Sequence, residues 1–140
     1  MLRYRLLHPE LARALATAGH GAKVLVADGN YPFVTGAAPG ATRVYLNLAP
    51  GLVTSTDALR VLVDAIPIEA AEVMVPAQGP EPKVFEEFRR ILGDGASLQP
   101  RSRLQFYTAA RAPDTAVVIA TGEQRIYANV LVTIGVVPPP

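Results

Sequence analysis

Apolar positions along this chain fall into short runs of two different periods, separated by proline, glycine and polar caps. Leu11, Ala14, Leu15 and Ala18 recur at spacings of three and four and predict a helix over 10–18, with Pro9 in its first turn and Gly19 ending it. Val24 to Ala27 is a continuous apolar run after Lys23, closed by Asp28 and Gly29, and reads as a central strand buried on both faces. The glycines, prolines and small residues of 32–40 predict a loop, and Thr42 to Asn47 a second strand, closed by Pro50 and Gly51. Thr54 stands three residues before Asp57, a capping-box spacing, and Leu59, Val61, Leu62 and Val63 carry the ensuing helix to about Ile66. Glu72 to Val75 is a third short strand. A helix after Pro82 bears Val84, Phe85, Phe88 and Ile91, with Glu86, Glu87, Arg89 and Arg90 as its solvated side. Arg103 to Tyr107 alternates Leu104 and Phe106 with polar neighbours and fits either a strand or the start of a short helix around Ala109. Thr115 to Ala120 is a strand, Thr121-Gly122-Glu123 a turn, and Ile126 to Ile134 a final strand on which Tyr127 and Asn129 point to the same face. Helices alternating with β-rich runs predict an α/β fold, a three-layer α/β/α sandwich with a mainly parallel central sheet, as a single domain over residues 1–140.

Composition narrows the function classes. A hydrophobic content of 50% in 140 residues supplies one sizeable core. The absence of cysteine excludes disulfides, thiolate metal sites and a cysteine nucleophile, and fits a reducing cytoplasm. A net charge of +1 with scattered arginines leaves no footprint for nucleic acid or an anionic membrane, so the expected partner is a small molecule. Arg3 and Arg5 are not followed by the apolar stretch of a secretion signal, and no apolar run approaches the ~20 residues of a membrane span.

The candidate chemistry gathers around Gly19-His20-Gly21 and Asp28-Gly29-Asn30-Tyr31-Pro32, where two titratable groups bracket one buried strand. An imidazole changes charge near neutral pH and a carboxylate accepts or orients a hydroxyl, so the pair suits proton transfer. Each also has a structural role open to it, His20 as a helix C-cap and Asp28 as a turn former. Gly36 and Gly40 do not make 32–40 a phosphate cradle, because the Gly-Lys-Ser/Thr ending is missing. His8, directly before Pro9, reads as a helix-start cap rather than a ligand.

Taken with His8-Pro9-Glu10-Leu11 at the start, Arg103-Leu104-Gln105-Phe106-Tyr107 in between, and Thr121-Gly122-Glu123 followed by Tyr127-Ala128-Asn129, these pieces resemble the fucose mutarotase and ribose pyranase family. The Arg-x-x-Phe-Tyr stretch is similar to that of its fucose branch. The resemblance implies His20 as catalytic acid/base, with Asp28, Arg103, Tyr127, Ala128 and Asn129 at the sugar. It implies no cofactor, no metal, and a ring-shaped homo-oligomer, typically a decamer. Gly29 departs from the alanine usual in relatives. The expected reaction is anomer interconversion of a reducing sugar, most simply L-fucose, by ring opening and reclosure. D-ribose pyranase activity and a non-catalytic sugar-binding ring are the alternatives.

One geometric expectation follows from the spacing alone. His20 precedes the strand and Asp28 follows it, and at ~3.3 Å per residue their Cα atoms lie on the order of 20 Å apart. A sugar touching both requires a site shared between neighbouring subunits.

Overall fold

The structure, a computed structural model, describes residues 1–140. Its strands are β1 (Lys23–Ala27), β2 (Thr42–Tyr45), β3 (Ile68–Met74), β4 (Leu98–Arg101), β5 (Thr115–Ala120) and β6 (Val130–Ile134), and its helices α1 (Pro9–Ala18), α2 (Ser55–Ala65), α3 (Val84–Leu92) and α4 (Arg103–Arg111). The strands form one six-stranded sheet in the order β2-β5-β1-β6-β3-β4. β1 with β5, β2 with β5 and β3 with β4 pair in parallel, while β6 runs antiparallel to both β1 and β3. The sheet is mostly parallel, and β6 enters it from the end at which the other strands leave.

β1 is the central strand that its apolar run predicts. Val24 and Val26 point into a core shared with Leu11, Leu59, Leu62, Phe85 and Phe88 of α1, α2 and α3, whereas Leu25 and Ala27 point into a second core with Phe106 and Ala110 of α4 and with Tyr31, Ala37, Ala38 and Ala41. These two cores, one on each face of the sheet, are what make the fold three-layered. Phe85 and Phe88 are fully buried, their rings stacked at 6.2 Å. Truncating a buried phenylalanine of this kind costs about 3–5 kcal/mol.

The local start signals act as the sequence predicts at two helices. His8 Nδ1 accepts from Leu11 N at 3.2 Å ahead of Pro9, and Thr54 and Asp57 form the reciprocal capping box that opens α2. Of the two readings open for Arg103 to Tyr107 the helical one holds: the segment is the first half of α4, opened by Ser102, whose hydroxyl accepts from Gln105 N while its own N donates to Gln105 Oε1. Other expectations need correction. β3 starts four residues before Glu72, and β4, which contains Pro100, was not foreseen; as an edge strand it has no partner on one side, where a proline is tolerated. The last strand begins at Val130 rather than Ile126, because Tyr127 takes a left-handed conformation with φ 61° that no strand accommodates.

Candidate active site

The carboxyl ends of the parallel strands, where ligands of open α/β sheets collect, are sewn together by short hydrogen bonds. Thr121 Oγ1, just past β5, donates to Ala27 O at 2.7 Å, and Gly29 N donates to Glu123 O at 2.9 Å. A Cβ on Gly29 would stand 3.0 Å from that same carbonyl oxygen. Glycine at this position therefore lets the 121–125 segment lie directly against the end of β1.

Asp28 is buried at the tip of β1 and locked to Asn129 at the start of β6. Asp28 N donates to Asn129 Oδ1 at 2.7 Å, and Asn129 Nδ2 donates back to Asp28 Oδ2 at 3.0 Å. Because the peptide N–H can only donate, it fixes which way the Asn129 amide faces. Asn30 N donates to the other oxygen, Oδ1, at 2.9 Å. Burial raises the Asp28 carboxyl above the ordinary aspartate range, and the donors of Asn30, Asn129, Ala128 and Tyr31 oppose that rise. The result is a carboxylate with every protein contact donating to it, in a setting that makes it a better base than a solvated aspartate.

Beside Asp28 and Asn129 opens a cavity of about 270 Å³, completed by Asn30, Tyr31, Met74, Arg103, Tyr107, Ile126 and Tyr127. That is small against the roughly 300–1,000 Å³ of pockets for drug-sized ligands. Arg103 and Tyr107 reach it together because they sit four apart on α4 and share one helix face. The Tyr107 ring lies between the guanidinium groups of Arg103, 5.8 Å away, and Arg111, 5.2 Å away, and packs on Tyr31 at 5.4 Å. Tyr31 itself donates its hydroxyl to Gly36 O at 2.6 Å, and burial pushes its phenol far above the ordinary range, so it is a wall rather than an acid. The left-handed backbone of Tyr127 turns its ring into the cavity, and non-glycine residues in that conformation concentrate at functional sites.

The cavity thus brings together four of the expected residues, Asp28, Arg103, Tyr127 and Asn129. Ala128 is not among its walls; its methyl is buried in the main core and it acts on Asp28 only through its peptide N–H. His20 is not there either. It lies at the opposite end of β1, exposed, with Nε2 at 3.3 and 3.2 Å from Glu69 Oε1 and Oε2. Tyr31 and Tyr107 also line the cavity although the sequence pattern assigns them no role, and the helical i, i+4 spacing from Arg103 is the signal that finds Tyr107. A second depression of about 440 Å³ shares Asn30 and is lined by Asn47, Thr121 and Glu123. Its one ionisable group is spent internally, since both Glu123 oxygens are held by Arg125 and Ser55. No three His, Cys, Asp or Glu side chains converge anywhere in the structure, and no helix is long and apolar enough to cross a membrane.

Comparison with known proteins agrees with this architecture. The chain is 31% identical to a fucose mutarotase from Danio rerio, over 95% of this chain and 91% of the relative. It is 32% identical to a D-ribose pyranase from Paracidovorax citrulli, over 97% and 98%. Among solved structures, Bacillus subtilis RbsD in complex with D-ribose superposes with a TM-score of 0.85 at 25% identity, over 99% of this chain and all of that one. Residues 1–137 match the model of the RbsD / FucU transport protein family, and the chain belongs to that family.

Proposed function

We propose that this chain, a carbohydrate isomerase by family, is a mutarotase that interconverts the α and β anomers of a reducing monosaccharide, L-fucose first among them, in the cytoplasm and without a cofactor. The observation that carries the reading is the convergence of Asp28, Arg103, Tyr127 and Asn129 on one small cavity of about 270 Å³. Ring opening needs one base and one acid. The base removes the proton of the anomeric hydroxyl, O1 forms the carbonyl, the C1–O5 bond breaks, and the acid delivers a proton to O5. Rotation about C1–C2 and the reverse transfers then close the ring on the other face. Asp28 and His20 supply these two groups. Arg103, Tyr127 and Asn129 hold sugar hydroxyls, with Ala128 contributing backbone, while the faces of Tyr107 and Tyr127 receive the C–H side of the ring.

His20 reaches this cavity only from a neighbouring subunit. Ile126, which lines it and is 67% exposed, leaves apolar surface there that suits such a contact. A head-to-tail contact that closes repeats the shared site around a ring; by the resemblance drawn from the sequence, that ring is a decamer.

The Arg-x-x-Phe-Tyr stretch, whose Arg103 and Tyr107 both line the cavity, favours L-fucose. Near-equal identity to D-ribose pyranases supports pyranose–furanose interconversion of D-ribose as the second reading. Saturation-transfer NMR on equilibrating sugars separates them. Faster exchange between α- and β-pyranose signals of L-fucose is expected; acceleration of ribose pyranose–furanose exchange alone overturns the fucose assignment. His20→Ala is expected to lower exchange about 100-fold or more. A folded, sugar-binding His20→Ala protein that exchanges anomers at the wild-type rate overturns the acid/base role of His20, whereas a wild-type protein that binds sugar without accelerating exchange leaves a sugar-binding ring.

A further inference from the structure

We propose that the 136–140 segment enters the neighbouring subunit's sugar site together with His20, where Val136 and Val137 pack on Ile126 and the exposed part of the Tyr127 ring and close the cavity against water. The inference rests on the shared site proposed above, and the path of the chain after β6 carries it. Ile134 O accepts from Gly21 N and Ile134 N donates to Ala22 O, both at 2.9 Å, so the end of β6 lies against the turn that presents His20. Gly135 N donates to Pro67 O at 2.8 Å, and from Val136 onward the chain leaves the body of the molecule. All of 136–140 is exposed, Val136 by 61% and Val137 by 75%, and no hydrogen bond holds the segment. Whatever contact brings His20 to a partner's Asp28 cavity therefore brings this segment with it.

Length decides which cavity the segment reaches. Val137 is pushed into an extended conformation by the proline after it, and Pro138, Pro139 and Pro140 favour the polyproline helix, so at ~3.1 Å per residue the segment spans on the order of 15 Å. The chain's own cavity lies at the far end of β1, on the order of 20 Å from His20, and is out of reach. The neighbour's cavity stands within about 3 Å of the imidazole wherever His20 exchanges protons with the sugar, and is in reach. At its mouth stand Ile126, 67% exposed, and the half-buried Tyr127. Aromatic-lined grooves take proline-rich segments because these are already extended and lose little freedom on docking. Prolines also bring no N–H that an apolar wall would leave unpaired, and no side chain of the segment or of Ile126 is charged, so the contact strands no buried ion.

The test removes the segment from one kind of chain at a time. His20→Ala and Asp28→Ala chains are unfolded together and co-refolded, so that every working site takes His20 from an Asp28→Ala chain and Asp28 from a His20→Ala chain. Deleting 136–140 from the Asp28→Ala chain is expected to raise KM for anomer exchange about 10-fold, the loss of roughly one buried valine, with kcat nearly kept. The same deletion in the His20→Ala chain is expected to leave KM unchanged, because the sites that lose the segment are already dead. Val136→Ser combined with Val137→Ser, placed on each chain in turn, repeats the comparison at full length and decides it should the shortened chains assemble poorly by native mass spectrometry. No rise in KM from either placement overturns the proposal, as does an equal rise from both or a rise only from the His20→Ala chain. A mixture of chains that retain the segment and recover no activity overturns the shared site itself, and the proposal with it, so the two failures are distinguishable.

Discussion

At the scale of single residues, two buried carboxylates near the same edge of the sheet are set apart by their neighbours. Asp28 receives only neutral donors, and burial keeps its carboxyl above the ordinary range. At Glu123 burial pushes the same way, but hydrogen bonds from Arg125 outweigh it: Nε donates to Oε1 at 3.0 Å, Nη2 to Oε2 at 2.8 Å and the peptide N to Oε1 at 3.0 Å. Ser55 in the first turn of α2 adds two more donors, and the carboxyl is held down to about 2 from the usual 4.5. A carboxyl with a depressed folded pKa contributes stability that is complete above 4.5 and is lost as pH falls towards about 2. Glu123→Gln is therefore expected to be less stable than wild type at neutral pH and to lose less on acidification through that window, measured by urea midpoints. Parallel pH curves for the two proteins would contradict this. Asp28 works in the opposite sense, since a carboxyl raised above 3.8 costs folded stability as pH rises through its folded value. The same residue chemistry is thus tuned in opposite directions by its neighbours.

At the scale of elements, what the sequence revealed depended on whether a segment has a period. β1 and β5 are continuous apolar runs, and both were readable to within a residue. β4, with residues Leu-Gln-Pro-Arg on a sheet edge, has no apolar alternation, and at the start of β3 Ile68 is followed by three poor strand formers, Glu69, Ala70 and Ala71, across a bulge. Tyr127 and Asn129 meet in the cavity for a different reason from the strand alternation expected of them. Tyr127 turns in through a left-handed backbone that residue type does not announce. Arg103 and Tyr107 meet through the helical spacing that Ser102-x-x-Gln105 signals. The loop 32–40 lacks the features of a phosphate cradle, and the structure gives it another role. Arg43 donates to the carbonyls of Phe33, Val34, Ala38, Pro39 and Ala41, and Arg111 to that of Thr35, so two arginines pin the loop whose Tyr31 end forms a cavity wall. Arg43→Ala is expected to cost about 2–3 kcal/mol and to raise hydrogen exchange across 33–41. Arg43→Lys should recover little of it, since an ammonium cannot fork to so many acceptors. Unchanged exchange in Arg43→Ala would show the loop to be held without Arg43, by its buried alanines and the bonds from Arg111 and Tyr31.

At the scale of the whole molecule, the sheet's polarity decides what one chain can do alone. Asp28 leaves the carboxyl end of β1 with Asn129 and Thr121, whereas His20 enters the amino end beside Glu69, and the length of a buried strand separates them. Neither side-chain rotation nor loop movement spans a distance on the order of 20 Å. The account therefore makes every active site a joint product of two chains, and complementation of inactive variants tests it most directly. His20→Ala and Asp28→Ala chains, each inactive alone, are unfolded together, co-refolded and assayed for anomer exchange. Random mixing of head-to-tail contacts returns an intact His20 opposite an intact Asp28 at about a quarter of the sites, so the account predicts recovery to about a quarter of wild-type activity. A properly assembled mixture that stays as inactive as either parent would contradict it.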